Sequence, residues 1–263
     1  VEAHVVRIAH VSDLHVGAED GSALADLAAH LQATDVAATV VTGDLTMRAR
    51  TREFVRARQV LDSFPAPVLV VIGNHDLPLA NPLRRLASPY VRFRTNVEDD
   101  LDPVLDLPGV RIQGLASMPR WRWKSGAVTA EQTELIRATF AGVPSGVSRV
   151  VAMHHPPSSA SLESLVGRAD FEQALVDAQV DVVLAGHTHV PSARTVAVGT
   201  PEANRQVVEV VAGTATSHRT RGSRRSWSLL EFSVGSLTVT EHLADDRGWW
   251  ARSPQVFALE AQR

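Results

Sequence analysis

The chain has 263 residues, 44% of them hydrophobic, enough to bury the core of one large α/β domain or two small ones. Its formal charge of −3 gives no bulk attraction to a nucleic-acid polymer or an anionic membrane, and the arginines at 219, 221, 224 and 225 are balanced elsewhere. The absence of cysteine excludes disulfides, iron–sulfur clusters and thiolate nucleophiles.

Val1 to Val11 lacks a basic stretch followed by a long apolar core, so no leader is expected. No run approaches the ~18 apolar residues of a membrane span, and a cytoplasmic protein is the expectation. Val5 to Val11 reads as a strand ending in Ser12-Asp13-Leu14-His15. Ala23 to Gln32 follows as an amphipathic helix, with Leu24, Leu27, Ala28 and Leu31 at helical spacing. Val36 to Val41 is a second strand, stopped by Thr42-Gly43-Asp44, and Thr51 to Ser63 a second helix closed by Pro65 and Pro67. The run Val68 to Ile72 then ends in Gly73-Asn74-His75-Asp76. A β-α-β-α-β order points to a mainly parallel sheet with right-handed crossovers.

From Pro78 to Pro108 the pattern weakens: Leu83 to Ala87 reads as one or two helical turns, Tyr90 to Thr95 and Val104 to Leu107 as short strands. Val110 to Leu115 is a clearer strand. Pro119 to Lys124 is a polar and aromatic loop, and Thr129, with Gln132 three residues on, caps a helix to Phe140. Arg149 to Met153 is a strand ending in His154-His155-Pro156-Pro157, whose prolines force an extended exit. After a helix over Ala169 to Ala178, the strand Asp181 to Ala185 ends in Gly186-His187-Thr188-His189. Only strand-like runs follow (194–198, 206–211, 227–233 and 237–242), the mark of an antiparallel flank or second sheet. The stretch 244–263 reads as a proline-interrupted tail with Trp249 and Trp250 folding back, and 1–263 as a single domain.

Five strand ends therefore carry Asp13 and His15, Asp44, Asn74 and His75, His154, and His187 and His189. Ligands collect at the carboxyl ends of strands in α/β sheets. The i, i+2 pairs Asp13/His15 and His187/His189 would project from one face if the chain there is extended. Each cluster alone is ordinary turn chemistry; five of them, each just after a buried-type strand, argue for one pocket. Carboxylates, imidazoles and an amide without sulfur suit Mn, Fe or Zn, and seven donors are too many for one tetrahedral ion but fit two ions.

The ordered set Asp-x-His (13–15), Gly-Asp (43–44), Gly-Asn-His-Asp (73–76), His-His-Pro-Pro (154–157) and Gly-His-Thr-His (186–189) resembles the calcineurin-like metallophosphoesterases. Within them it is most similar to bacterial class III cyclic nucleotide phosphodiesterases and glycerophosphodiesterases, and Ala212 to Thr216 followed by Arg221 resembles their C-terminal region. The resemblance implies a four-layer α/β/β/α sandwich of two mixed sheets flanked by helices. It implies one divalent ion on Asp13, His15, Asp44 and His189 and a second on Asp44, Asn74, His154 and His187, with Asp44 bridging. Mn, Fe or Zn, including a mixed Fe/Mn pair, would serve. One departure is Ala49, where such proteins often carry glycine.

The implied activity is hydrolysis of a small phosphodiester, cyclic AMP first among those to test, by in-line attack of a hydroxide shared by the ions. His75 would contact the phosphate or protonate the leaving oxygen, with Asp76 either orienting it or capping the turn. A phosphomonoesterase or glycerophosphodiesterase could use the same core, and a non-catalytic metal-binding relative is the reading from another class. Trp121 and Trp123 either stack a nucleobase or pack against the core or a partner subunit. Exposed strand edges in the C-terminal half are compatible with a homodimer.

Overall fold

The computed structural model describes residues 5–158 and 165–261. The first half comprises β1 (Val6–Val11), α1 (Ala23–Gln32), β2 (Ala38–Thr42), α2 (Thr51–Leu61), β3 (Val68–Val71), α3 (Pro82–Ala87), α4 (Val91–Asn96), β4 (Val104–Leu107) and β5 (Val110–Leu115). Then come α5 (Ala130–Phe140), β6 (Ser148–Met153), α6 (Arg168–Asp177), β7 (Val182–His189), β8 (Ser192–Gly199) and β9 (Asn204–Gly213). The chain closes with β10 (Ser226–Ser233), β11 (Ser236–Asp245), β12 (Gly248–Ala251) and β13 (Gln255–Ala258).

These strands make two mixed sheets. One runs β12-β11-β10-β1-β2-β3, with β13 also paired to β11; the other runs β4-β5-β6-β7-β9-β8. Strands β1, β2 and β3 are parallel, as are β5, β6, β7 and β9, while β10 joins β1 and β8 joins β9 antiparallel. Alternation along each strand explains the layers, because successive side chains leave opposite faces. Val150 and Ala152 of β6 and Val182 and Leu184 of β7 meet Ile8, Val40 and Leu230 between the sheets. Their neighbours Val151, Met153 and Val183 face outward onto Ile136 and Phe140 of α5 and Phe171 and Leu175 of α6. On the other flank Leu24, Leu27 and Leu31 of α1 and Phe54, Ala57 and Leu61 of α2 cover Ala9 and Val11. The result is the expected α/β/β/α sandwich. No helix among the described residues is long and apolar enough to cross a membrane.

Helix α5 starts as its sequence requires: Gln132 donates its backbone N–H to Thr129 Oγ1 at 3.3 Å, and Thr129 returns its own to Gln132 Oε1 at 3.1 Å. Two local expectations are corrected. Tyr90 to Thr95 is not a strand, since α4 occupies Val91–Asn96. Tyr90, Phe93 and Val97 pack on the α1/α2 side of the core. Their i, i+3, i+7 spacing is helical, and the shorter Val91/Phe93 alternation hides it. The stretch 244–263, read as a proline-interrupted tail without strands, carries two, because β12 and β13 both pair antiparallel with β11. Pro254 separates two strands of four residues each, too short to announce themselves by alternation. Trp249 does pack inward, stacked on His30 at 5.3 Å, whereas Trp250 stays 42% exposed. The last two positions of that stretch, and the first four of the Val1 to Val11 reading, lie outside the described residues.

The same alternation places His10 between the sheets beside Ile8, fully buried, with Nε2 3.0 Å from Thr42 Oγ1 and Nδ1 without a partner among the described residues. Burial pushes its pKa from 6.5 down to about 3, against the opposing pull of Asp13. A folded value below the unfolded one means that the unfolded chain binds the extra proton, so stability falls as pH drops from 6.5 towards 3. The effect is on the order of several kcal/mol at full protonation. Urea unfolding of the wild type and His10→Gln between pH 7.5 and 4 should show the wild type losing stability relative to the variant on acidification. A pH-independent difference would exclude His10 as a source of acid lability.

Candidate metal centre

The five strand ends converge at one rim, where β1, β2 and β3 of one sheet face β6 and β7 of the other. Asp13, His15, Asp44, Asn74, His154 and His189 are buried, and His187 and His75 half-buried. Extended geometry does not bring the pairs together, which corrects the i, i+2 argument. Asp13, His15, Asp44, His187 and His189 have φ of 55°, 46°, 52°, 70° and 60°, and β7 is irregular between Ala185 and His189. Left-handed turns re-aim the donors into the cleft, at a cost of roughly 1–2 kcal/mol per residue.

Close backbone approach makes this crowding achievable. A Cβ on Gly73 would overlap the backbone N and Oδ1 of Asp44, and one on Gly186 would overlap Ser12 Oγ. Asp76 ties the turns together: its carboxylate accepts the N–H groups of Gly73 (3.0 Å), Leu45 (3.1 Å) and Thr46 (2.8 Å) and the Thr46 hydroxyl (3.0 Å). Asp76 therefore caps the turns and makes no hydrogen bond to the His75 ring. Burial and the nearby Asp44 charge raise its pKa to about 6 in spite of those donors. The Ala212 to Thr216 segment braces the first turn, with Thr214 Oγ1 donating to Asp13 O at 2.7 Å and Thr216 Oγ1 to Leu14 O at 2.6 Å.

The donors fall into two overlapping clusters. His189 Nε2 lies 3.0 Å from Asp13 Oδ1 and 3.1 Å from His15 Nε2, which is 3.7 Å from Asp44 Oδ2. Across the pocket, Asn74 Oδ1 lies 3.1 Å from His154 Nε2 and 3.0 Å from His187 Nδ1, and His154 Nε2 is 3.4 Å from Asp44 Oδ1. Asp44 thus turns one oxygen towards each cluster. Second partners aim the rings: His154 Nδ1–H donates to Thr42 O at 2.7 Å and His189 Nδ1–H to Arg219 O at 2.5 Å, which turns each Nε2 towards the pocket.

The electrostatics call for positive charge. Burial alone would raise the pKa values of Asp13 and Asp44, yet His15 and His189 around the first, and His154 and His15 around the second, hold both carboxylates ionised. Burial would likewise lower His154, but Asp44 raises it to about 9, so a proton serves there as the compensating cation. Asp13 Oδ1 is buried and faces ring nitrogens, His189 Nε2 at 3.0 Å and His15 Nε2 at 3.6 Å. Facing acceptor atoms in a buried, doubly anionic pocket is an arrangement that a divalent metal satisfies, and the oxygen and nitrogen donor set fits such an ion.

A family model for calcineurin-like phosphoesterase matches residues 6–191. The chain belongs to the calcineurin-like phosphoesterase family. Among solved structures, the fold is similar to that of a purple acid phosphatase from yellow lupin (Lupinus luteus) seeds, with TM-score 0.74 and 15% identity. That match covers 98% of this chain and 54% of the phosphatase, so the chain spans about half the length of that relative. A single mutant of Vps29 from Entamoeba histolytica is also similar, with TM-score 0.52 and 15% identity over 96% of this chain and 99% of that one. Vacuolar Protein Sorting 29 from Cryptosporidium parvum has TM-score 0.51 and 14% identity over 97% and 98%. Likeness at these identities speaks for the fold alone. No curated protein matches the sequence.

Two features of this chain went unread in its sequence. His155 is close enough to His154 and His187 to join a donor cluster, but Ser117 Oγ at 2.8 Å and Lys124 O at 2.8 Å occupy its ring nitrogens. It anchors the 119–124 loop instead. Buried Arg85 grips the same loop through Arg120 O (3.0 Å) and Arg122 O, with its guanidinium 4.6 Å from the Trp123 ring. Because the loop is held by its backbone, Trp121 and Trp123 remain 61% and 47% exposed, which corrects the expectation of core packing. The second feature is Arg219, whose Nη1 lies 3.4 Å from His75 Nε2 and 3.6 Å from Met47 Sδ. The run of arginines from 219 to 225 hid it; Arg221 is exposed.

Asp44→Asn should cut metal uptake by about tenfold or more, because an amide keeps the shape but removes the charge facing both clusters. Metal content after Mn loading and gel filtration reads this directly. Uptake equal to the wild type would remove Asp44 from the centre.

Proposed function

We propose that the protein is a metal-dependent phosphodiesterase of small phosphodiesters, with a 3′,5′-cyclic nucleotide such as cyclic AMP as the first substrate to test. The observation that carries this reading is the convergence of seven oxygen and nitrogen donors from five strand ends on one anionic pocket. Asp13, His15, Asp44 and His189 would hold one divalent ion and Asp44, Asn74, His154 and His187 a second. Bound there, such ions supply activation of a water nucleophile and charge neutralisation at the phosphoryl oxygens.

The chain's own residues position and neutralise. The carbonyls of Thr42 and Arg219 hold the rings of His154 and His189 with Nε2 inward, so binding needs no ring rotation. His75 donates Nδ1–H to Met47 O at 2.8 Å, which leaves Nε2, on the Arg219 side, to meet the phosphate or the leaving oxygen. Burial lowers the His75 pKa; an incoming phosphate anion acts in the opposite direction and favours the charged, donating ring. Arg219 has no carboxylate partner among the described residues and offers its charge to the same group. The exposed indoles of Trp121 and Trp123, on a loop tied to His155, suit the base of a nucleotide.

One observation favours a second reading, a phosphomonoesterase. A monoester is a dianion near neutral pH where a diester is a monoanion, and an Arg219 with no carboxylate partner among the described residues, beside His75, suits the extra charge.

After reconstitution with Mn, hydrolysis of bis-p-nitrophenyl phosphate should exceed that of p-nitrophenyl phosphate. The reverse order would select the monoesterase, and metal uptake without either activity a binding module. His75→Ala should retain its metal and lose on the order of 10²-fold in kcat. An unchanged kcat would remove His75 from the chemistry.

A further inference from the structure

A cleft of about 650 Å³ opens beside the metal centre, lined by Val16, Gly17, Met47, Arg48, Arg52 and His218 among others. It adjoins the centre directly: Val16 follows His15, Met47 O holds the His75 ring, and His218 precedes Arg219. A cyclic mononucleotide, whose single phosphate is the scissile one, brings no second anion to the arginines of this cleft.

The wall of this cleft is built rather than incidental. Arg48 and Arg50 flank Ala49, a buried residue held at φ 50°. The buried Glu53 accepts the N–H groups of Arg48 at 2.9 Å and Arg50 at 3.2 Å, and Thr46 Oγ1 accepts that of Ala49 at 3.1 Å. Arg92 Nη1 donates to Ala49 O at 2.6 Å. Three side chains thus clamp a strained turn whose outward product is the display of two arginines.

Charge in the cleft is only partly compensated. Arg56 pairs with Glu19 at 2.7 Å, and Arg50 lies 3.8 Å from Glu53. Arg48 and Arg52 have no side-chain ion pair or hydrogen bond among the described residues, and Arg219 stands unpaired by any carboxylate where the cleft meets His75. Guanidinium groups bind phosphate oxygens in bidentate fashion, and a concave, partly enclosed surface strengthens that attraction relative to an open one.

We propose that this cleft is a subsite for a second phosphate, so that the preferred substrate is a small organic phosphoester carrying another phosphate beyond the one being hydrolysed. The inference rests on the phosphoesterase reading above. The scissile phosphate sits at the centre beside His75 and Arg219, the second phosphate against Arg48 and Arg52, and the organic part extends towards Trp121 and Trp123.

The test is calorimetric titration of the Mn-loaded protein with adenosine 3′,5′-bisphosphate and with adenosine 5′-monophosphate. The bisphosphate should bind about tenfold tighter or more, as one added charge-assisted contact implies. The ratio should fall towards unity in Arg48→Glu/Arg52→Glu and partway in the milder Arg48→Gln/Arg52→Gln. Equal affinities for the two ligands in the wild type, or a ratio that survives both variants, would overturn the subsite. If the same preparation still hydrolyses bis-p-nitrophenyl phosphate, that failure belongs to the subsite alone; a wild type that takes up metal but hydrolyses nothing fails the phosphoesterase reading. Affinity that keeps rising from the bisphosphate to a trinucleotide would mark a nucleic-acid surface and overturn the small-ligand class.

Discussion

Two buried carboxylates with no lysine or arginine beside them govern this structure. Asp13 and Asp44 are 0% and 1% exposed, stay ionised, and among the described residues are met by imidazoles, backbone amides and, at Asp13, the Ser12 hydroxyl. Isolated buried charge is costly enough that a protein normally neutralises it or removes it. Here the fold assembles imidazoles from both sheets around the pair, and His154 takes up a proton in answer to Asp44. The arrangement makes physical sense as a cation receptor, with the proton as the occupant that a divalent ion displaces.

Much of this was legible in the sequence because strand ends are. A buried parallel strand is a continuous apolar run, and the first polar residues after it must lie at the sheet's carboxyl rim. Asp13, Asp44, Asn74, His154 and His187 could be placed on that rule alone. What periodicity could not supply was backbone handedness. Nothing in Asp-Leu-His or His-Thr-His announces positive φ, and the pairing of Asp13 with His15 and of His187 with His189 depends on it. Short elements failed for a related reason: α4 and β12 are six and four residues long, less than the window over which helix and strand periods separate. Contacts made by a side chain with a distant loop leave no local pattern, so nothing near Arg219, Arg85 or His155 in the sequence marks the partners they reach.

Ala49 shows how a local rule can be broken with little net cost. Left-handed backbone costs a residue with Cβ about 1 kcal/mol relative to glycine. Its buried methyl returns roughly 0.8 kcal/mol. The terms nearly cancel, and the hydrogen bonds from Thr46, Glu53 and Arg92 around the turn hold its geometry. Alanine in place of glycine therefore leaves the ligand-bearing turn at Asp44 undisturbed, five residues away.

The same arithmetic applied to the centre gives a different answer. Five donor residues in left-handed turns cost roughly 5–10 kcal/mol together, comparable with the whole net stability of an ordinary domain. Some of this is offset by the hydrogen bonds that Asp76, Thr214 and Thr216 make to the turn backbones. The donors' inward atoms also face one another. Binding that favours the folded state over the unfolded one acts at those atoms, and its contribution grows with ligand affinity. The strain at Asp13, His15, Asp44, His187 and His189 and the affinity of the pocket for a cation are thus two sides of one balance: the fold holds the donors in place before the ion arrives, and the ion repays the folding.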